Sequence, residues 1–317
     1  MNPDCERRGI MRGLICALFI GAFPATAYAV DRPDWAFPVA DKIQPPSKVD
    51  SQPRTVTGST KSYTQKQIDD LKNPPDWFPD IHPAMPPVVA QGTATLACGS
   101  CHLPTGTGHD ESAYVAGLPA AYIVRQMADF KSGARKGFGN MPAIAQALGD
   151  DDVQSAAAYF AALPTRPWVR VVETDMVPKT YVNESNMRVK LPAGGSEPIG
   201  SRIVELAEDE DAAIARDPRS GFVAYVPTGS IAKGQMLVTT GGGETTACTV
   251  CHGANLKGLG ATPPIVGRHT GYIVRQLYFF QNGSRSGPSE ALMHNVVARL
   301  TNDDMVAIAA YLASRQP

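Results

Sequence analysis

An all-α fold built from two tandem copies of one unit is what the sequence predicts, on three observations. The stretch YIVRQM at Tyr122–Met127 returns as YIVRQL at Tyr272–Leu277, 150 residues later. At that offset His102 falls on His252, Gly108 on Gly258, Gly117 on Gly267, Phe130 on Phe280, Gly133 on Gly283 and Arg135 on Arg285. An offset of 152 then superposes Met141 on Met293, Asp151 and Asp152 on Asp303 and Asp304, and Tyr159 on Tyr311. So long a shared order of parts marks a duplication. Within a copy the apolar residues keep the helical period. Tyr122, Ile123, Gln126, Met127 and Phe130 share one side of a helix that stops near Gly133. Acidic residues at 150–152 cap a later helix carrying Val153, Ala156, Ala157, Phe160 and Leu163.

At the N-terminus, Arg7, Arg8 and Arg12 precede an uncharged run that closes on Ala27-Tyr28-Ala29. This is the small-x-small pattern of a secretory signal, so residues 1–29 read as a leader cut after Ala29, which places the mature chain in the periplasm. The competing reading is an uncut anchor, because Gly13 to Val30 is 18 residues, at the short edge of what spans a bilayer. No later stretch is apolar and long enough for a membrane helix, so the mature protein is expected not to span one. The formal net charge is -1, and the absence of a Lys or Arg run argues against nucleic acid as a partner.

Residues 30–86 form a Pro-rich extension holding Trp35, Trp77 and NPPDWFPDIHPAMPP, expected as an extended strap rather than a folded module. The first copy occupies 87–163 and the second 230–317. Between them, 164–229 is a 66-residue linker with β-like stretches WVRVVETD and MRVKL, then the acidic ELAEDEDAAIARD. Connections this long usually carry structure or function of their own.

Loss of the leader removes Cys5 and Cys16 and leaves two pairs, CGSCH at Cys98–His102 and CTVCH at Cys248–His252. In an exported protein such pairs suggest disulfides, and two of them could bind zinc. Neither needs the histidine that follows each pair. A covalently bound haem does: the thiols of Cys98 and Cys101, or of Cys248 and Cys251, add to the porphyrin vinyl groups, and the next residue brings its imidazole to the iron. Two c-type haems are therefore expected. They would also supply apolar contacts that a unit of well under a hundred residues lacks.

With these motifs, the GLPAAYIVRQMADFKSG helix, the methionine that follows it and the DDxxxxAAYxA last helix, the chain resembles class I cytochromes c. The resemblance is to the two-domain dihaem cytochromes of the c4 type, over about Pro87–Leu163 and Ser230–Arg315. It implies His102 and His252 as proximal iron ligands, with Met141 and Met293, in loops before the last helix, as distal ones. Both methionines recur in register while their neighbours change, whereas Met127 is replaced by Leu277 and fits a gap-filling core role. His109, His269 and His294 lack counterparts and read as surface or supporting histidines. In the family a glycine ahead of the haem motif crosses the last helix at an aromatic residue; Gly92 with Tyr159 and Gly234 with Tyr311 could match. A proline carbonyl there receives the proximal histidine. PPIVG offers Pro263 or Pro264, but the first copy has Ala113 and Tyr114, so the haems are expected to differ there. Arg125 and Arg275 either pair with haem propionates, line the contact between copies, or stand idle in solvent, the reading favoured.

The expected function is a periplasmic dihaem electron carrier, not an enzyme, passing single electrons from a dehydrogenase or quinol-oxidising complex to a terminal acceptor through transient contacts with redox proteins. The alternatives are a cytochrome subunit of a periplasmic dehydrogenase and a dihaem enzyme, a peroxidase or a thiosulfate-oxidising cytochrome. The enzyme needs one reactive iron, which two in-register methionines argue against.

Overall fold

The computed structural model describes residues 31–42 and 52–317, so the leader with Cys5, Cys16 and the Ala29 cleavage position lies outside the described residues. In the extension, a short hairpin of β1 (Arg54–Thr55) and β2 (Ser62–Tyr63) leads into α1 (Gln65–Ile68), started by a Thr64–Gln67 capping box. Trp77 is 2% exposed, packs with Val56, Ile68 and the linker residue Ala215, and donates its indole N–H to the Ala215 carbonyl at 2.7 Å. This part is thus a small folded unit, a correction to the purely extended strap. One tryptophan with a polar partner is enough to anchor it, since burying such a ring stabilises by about 2–3 kcal/mol.

The first copy contains α2 (Pro87–Ala90), α3 (Cys98–His102), α4 (Ala120–Ser132), α5 (Met141–Ala147) and α6 (Asp150–Ala162). Gly133 ends α4 at φ +80°, a left-handed cap that glycine adopts without strain. Val88, Val89, Tyr114, Phe160 and Leu163 form its core, with Met85, Cys98 and Met127 packed against it.

The linker carries strands where its β-like stretches lie, so the all-α description applies to the two copies and not to the segment between them. It holds β3 (Val169–Glu173), β4 (Met176–Pro178), β5 (Thr180–Val182), β6 (Arg188–Lys190), β7 (Ser196–Pro198), β8 (Val204–Ala207), α7 (Glu210–Ile214) and β9 (Phe222–Val226). A three-stranded sheet runs β3-β9-β8, with β3 parallel and β8 antiparallel to β9; β4 pairs with β7 and β5 with β6. Central β9, FVAYV, is buried along most of its length, as β-branched and aromatic residues favour. Phe222 joins the first core beside Trp168, while Ala224 and Val226 join the second. The linker is therefore a wedge shared by both cores.

The second copy contains α8 (Ser230–Thr240), α9 (Thr249–His252), α10 (Thr270–Gln281), α11 (Ala291–Val297) and α12 (Asn302–Ala313). α8 crosses α12 at Gly234, where a Cβ would lie 1.9 Å from the Ala307 carbonyl oxygen and 2.8 Å from Tyr311 Cβ. Gly92 makes no such crossing. A Cβ there would meet the Thr95 carbonyl oxygen at 1.9 Å, as one at Gly241 would meet that of Thr245 at 2.1 Å, so Gly92 corresponds to Gly241. Because α2 is only four residues long, the extension supplies what the missing turns would: His82 sets its ring edge-on to Tyr159 at 6.5 Å.

Candidate haem sites and the contact between copies

In the first copy α3 begins just after buried Ala97, whose N–H is held by the Leu71 carbonyl at 2.9 Å. One helical turn brings Cys98 and Cys101 to the same side and sets His102 a turn beyond Cys98. The chain then reverses in the left-handed region, at Leu103 (φ +60°) and at the matching Gly253 (φ +83°). Gly108 N–H closes on the His102 carbonyl at 3.0 Å and Gly258 N–H on that of His252 at 2.9 Å.

The returning loop supplies the decisive contact. His102 Nδ1 lies 2.8 Å from the Ala113 carbonyl, and His252 Nδ1 lies 2.8 Å from the Pro263 carbonyl. A carbonyl only accepts, so Nδ1 carries the hydrogen and Nε2 is left as the bare nitrogen a metal requires. Burial also pushes the pKa of both imidazoles down, against the carbonyl bonds, which favours the neutral form. Here the expected difference between copies is corrected: the acceptor is backbone, so alanine delivers it as well as proline does.

Burial pushes the Cys98 thiol up to about 12 and the Cys248 thiol up to about 11. Among the described residues no group of three or more His, Cys, Asp or Glu converges as a metal site, and the four cysteines form no disulfide. Two separate CxxCH turns, each with an oriented imidazole, fit two haems.

Met141 is the first residue of α5 and Met293 the third of α11, both half-buried, so neither stands in a loop as expected. Pro142 explains the first: at the start of a helix its fixed φ is already correct. Met293 packs on the second core together with Cys248. The competing histidines are committed elsewhere. His294 Nε2 faces the Arg285 carbonyl at 2.9 Å, and His109 Nδ1 lies 2.7 Å from Glu111. His269 is fully buried, which fits the supporting and not the surface alternative, and sits between Glu205 and the Thr107 carbonyl.

The arginines are the residues that sequence reasoning missed. Arg135 and Arg285 lie side by side in an antiparallel bridge across the two copies, with Lys136 N–H on the Ser284 carbonyl and Ser286 N–H on that of Ala134, both at 2.8 Å. Arg135 donates to Gln126 of its own copy (2.7 Å) and to Tyr272 (3.2 Å) and Gln276 (2.8 Å) of the other. Arg285 mirrors it, donating to Gln276 (3.0 Å), Tyr122 (2.9 Å) and Gln126 (2.7 Å). The Tyr and Gln of each YIVRQ stretch thus receive the arginine of the opposite copy, a pseudo-twofold contact in which one motif meets itself. Arg275 is buried and donates to the carbonyls of Ala36 (2.6 Å) and Asp110; Arg125 reaches the Ala261 carbonyl at 3.2 Å. Neither is idle. The available signal was the recurrence of Tyr, Gln and Arg at identical spacing in both copies.

Comparison with known proteins agrees with this geometry. The cytochrome c family profile matches residues 231–316, and that of the cytochrome c oxidase, cbb3-type, subunit III matches residues 88–160. The chain is 28% identical over 238 residues to the thiosulfate dehydrogenase electron acceptor of Thiomonas intermedia, covering 73% of this chain and 82% of that protein. It is 26% identical over 243 residues to cytochrome c4 of Azotobacter vinelandii, covering 73% and 90%. Cytochrome c-554(548) of Halomonas halodenitrificans is 31% identical over 70 residues, 22% of this chain and 84% of that protein. The chain belongs to the cytochrome c family, as a dihaem class I cytochrome of the c4-like kind with two covalently bound haem c groups that serve electron transfer.

Proposed function

We propose that this protein is a mobile periplasmic carrier that takes single electrons from an exported dehydrogenase and passes them to a terminal acceptor, through transient contacts with each. The observation that carries the proposal is the equivalence of the two sites: each proximal histidine is oriented by a backbone carbonyl at 2.8 Å, and crossed arginines join the copies. Relatives described as thiosulfate dehydrogenase electron acceptors support an oxidising dehydrogenase of a small sulfur oxyanion as the donor. The proposal includes the export step, with cleavage after Ala29, and the division into the extension (30–86), first domain (87–163), linker (164–229) and second domain (230–317).

In this reading Cys98, Cys101, Cys248 and Cys251 hold the haems, His102 and His252 bind on the proximal side, and Met141 and Met293 close the distal side. Haem bound there would supply a one-electron ferric/ferrous couple, and a thioether ligand would raise its potential. The protein's own part is to hold Nε2 of each histidine in one tautomer and one orientation, so that little rearranges when an electron arrives. Fixing both copies against one linker wedge keeps the two centres at a constant separation.

The test is rapid mixing of the oxidised protein with thiosulfate dehydrogenase and thiosulfate and, separately, with a quinol-oxidising complex and its quinol. Reduction of both haems within seconds by the dehydrogenase is expected. Reduction only by the quinol-oxidising complex would reject this donor, and thiosulfate oxidation by the protein alone would make it an enzyme.

A further inference from the structure

Glu205 on β8 is 4% exposed and lies where both copies and the linker meet. It accepts from Thr270 N–H at 2.9 Å and from the Thr270 hydroxyl, and faces His269 Nδ1. His269 turns Nε2 to the Thr107 carbonyl, in the first haem loop, at 3.1 Å. With acceptors on both ring nitrogens the imidazole holds two protons, and with Glu205 it forms a buried pair of no net charge.

Asp110, in the same haem loop, is the group left over. Its Oδ1 is shielded from solvent and accepts no hydrogen bond, and it rests against Gly271, where a Cβ would lie 2.3 Å away. Arg275 donates to its backbone carbonyl, not to its carboxylate. The groups facing it are Glu205 on β8, Arg275 and His269 on α10, Glu111 beside it and Arg188 on β6. Burial first, then the charge of Glu205, raises its carboxyl to about 7 against Arg275 and His269.

The surroundings provide a way in for a proton. A cavity of about 10 Å³, near the least that holds one water, is lined by Asp110, Glu205, Arg188 and Glu210. A second of about 30 Å³ shares Arg188 and Glu210 and reaches exposed Glu208 and Lys190.

We propose that Asp110 is a redox-linked proton site of the first haem. An electron delivered to that haem by a redox protein raises the proton affinity of Asp110, so reduction draws a fraction of a proton from solvent onto Asp110 Oδ1 and reoxidation releases it. The loop that carries Asp110 also clasps His102, through Gly108 N–H on its carbonyl and the Ala113 carbonyl on Nδ1, which ties this charge to the proximal ligand of the first haem. The proposal rests on the dihaem carrier reading.

It is tested on the holoprotein by spectroelectrochemical titration of each haem at several pH values, with a pH-indicating dye to count protons. At a fixed potential, the ferrous-to-ferric ratio of the first haem should fall about five- to tenfold from pH 6 to pH 8. That is the effect of one unit charge over about 12–15 Å in a protein-like dielectric. The second haem should change far less, and Asp110→Asn should flatten the first. Proton uptake by the unaltered protein near pH 7 supports the site independently of how that variant folds. Two haems per chain with no proton taken up would overturn the site and leave the carrier reading standing. A pH dependence undiminished in Asp110→Asn would assign the proton to another group, and fewer than two haems per chain would remove both readings.

Discussion

Replacing Arg285 with alanine should loosen the two copies from one another. The side chain is 4% exposed, stacks on Phe280 at 4.4 Å, and donates through Nε to Glu290 Oε1 at 2.7 Å as well as to Tyr122, Gln126 and Gln276. Its removal leaves Glu290, 5% exposed, as a buried carboxylate without its cation, and takes one donor from each of two glutamine carbonyls. Breaking a buried pair from one side costs about 3–5 kcal/mol. With a urea m-value of about 3 kcal/mol/M, the unfolding midpoint should drop by about 1–1.7 M. Arg285→Lys keeps the charge but loses the planar fork, and should cost about 1–2 kcal/mol. The assay is urea unfolding of the holoprotein followed by circular dichroism and, separately, by the haem absorbance of each copy. The double change Arg285→Met with Glu290→Leu should recover most of the loss, because no charge is stranded. A loss under about 1 kcal/mol in Arg285→Ala, or a double variant no better than the single one, would refute this account of the contact.

Other substitutions probe separate parts. Gly234→Ala, with its Cβ 1.9 Å from the Ala307 carbonyl oxygen, should push α8 off α12 and destabilise the second copy by about 3 kcal/mol, read by thermal unfolding. Pro263→Ala should leave the potential of the second haem close to its original value, since the first copy makes the same 2.8 Å bond with alanine; a large shift in a redox titration would contradict the backbone-acceptor argument. The extension should be held most firmly between about pH 4 and pH 6.5. Burial opposes both charges of the His82–Asp76 pair, but their hydrogen bond raises the His82 pKa and lowers that of Asp76. The histidine's contribution is therefore full below its unfolded pKa and lost as pH rises through the folded one, and that of Asp76 is lost as pH falls through its lowered value. Hydrogen exchange at the Trp77 indole across that range measures it.

Much of the chemistry was legible in the residues because haem attachment is a local pattern. Two cysteines and a histidine within five positions suffice to define a helical turn, and duplication made the pattern visible twice. The linker was not legible in the same way. β3 and β9 pair across some fifty residues, and strands of three to five residues carry too few alternations to announce a partner. Arg275 looked like one more helix-face arginine because its acceptors, the carbonyls of Ala36 and Asp110, are brought to it only by tertiary structure. Likewise Ala113 seemed to break the proximal pattern, although the hydrogen bond needs only a carbonyl.

The central claim is two six-coordinate haems with the same kinds of ligand, closed by Met141 and Met293. It is tested most directly by a redox titration monitored in the visible spectrum, with carbon monoxide added to the reduced protein. Two high-potential, low-spin waves, the weak red band of methionine ligation in the ferric form and slow or no carbon monoxide binding are predicted. A high-spin or low-potential wave, or rapid carbon monoxide binding at either haem, would contradict it.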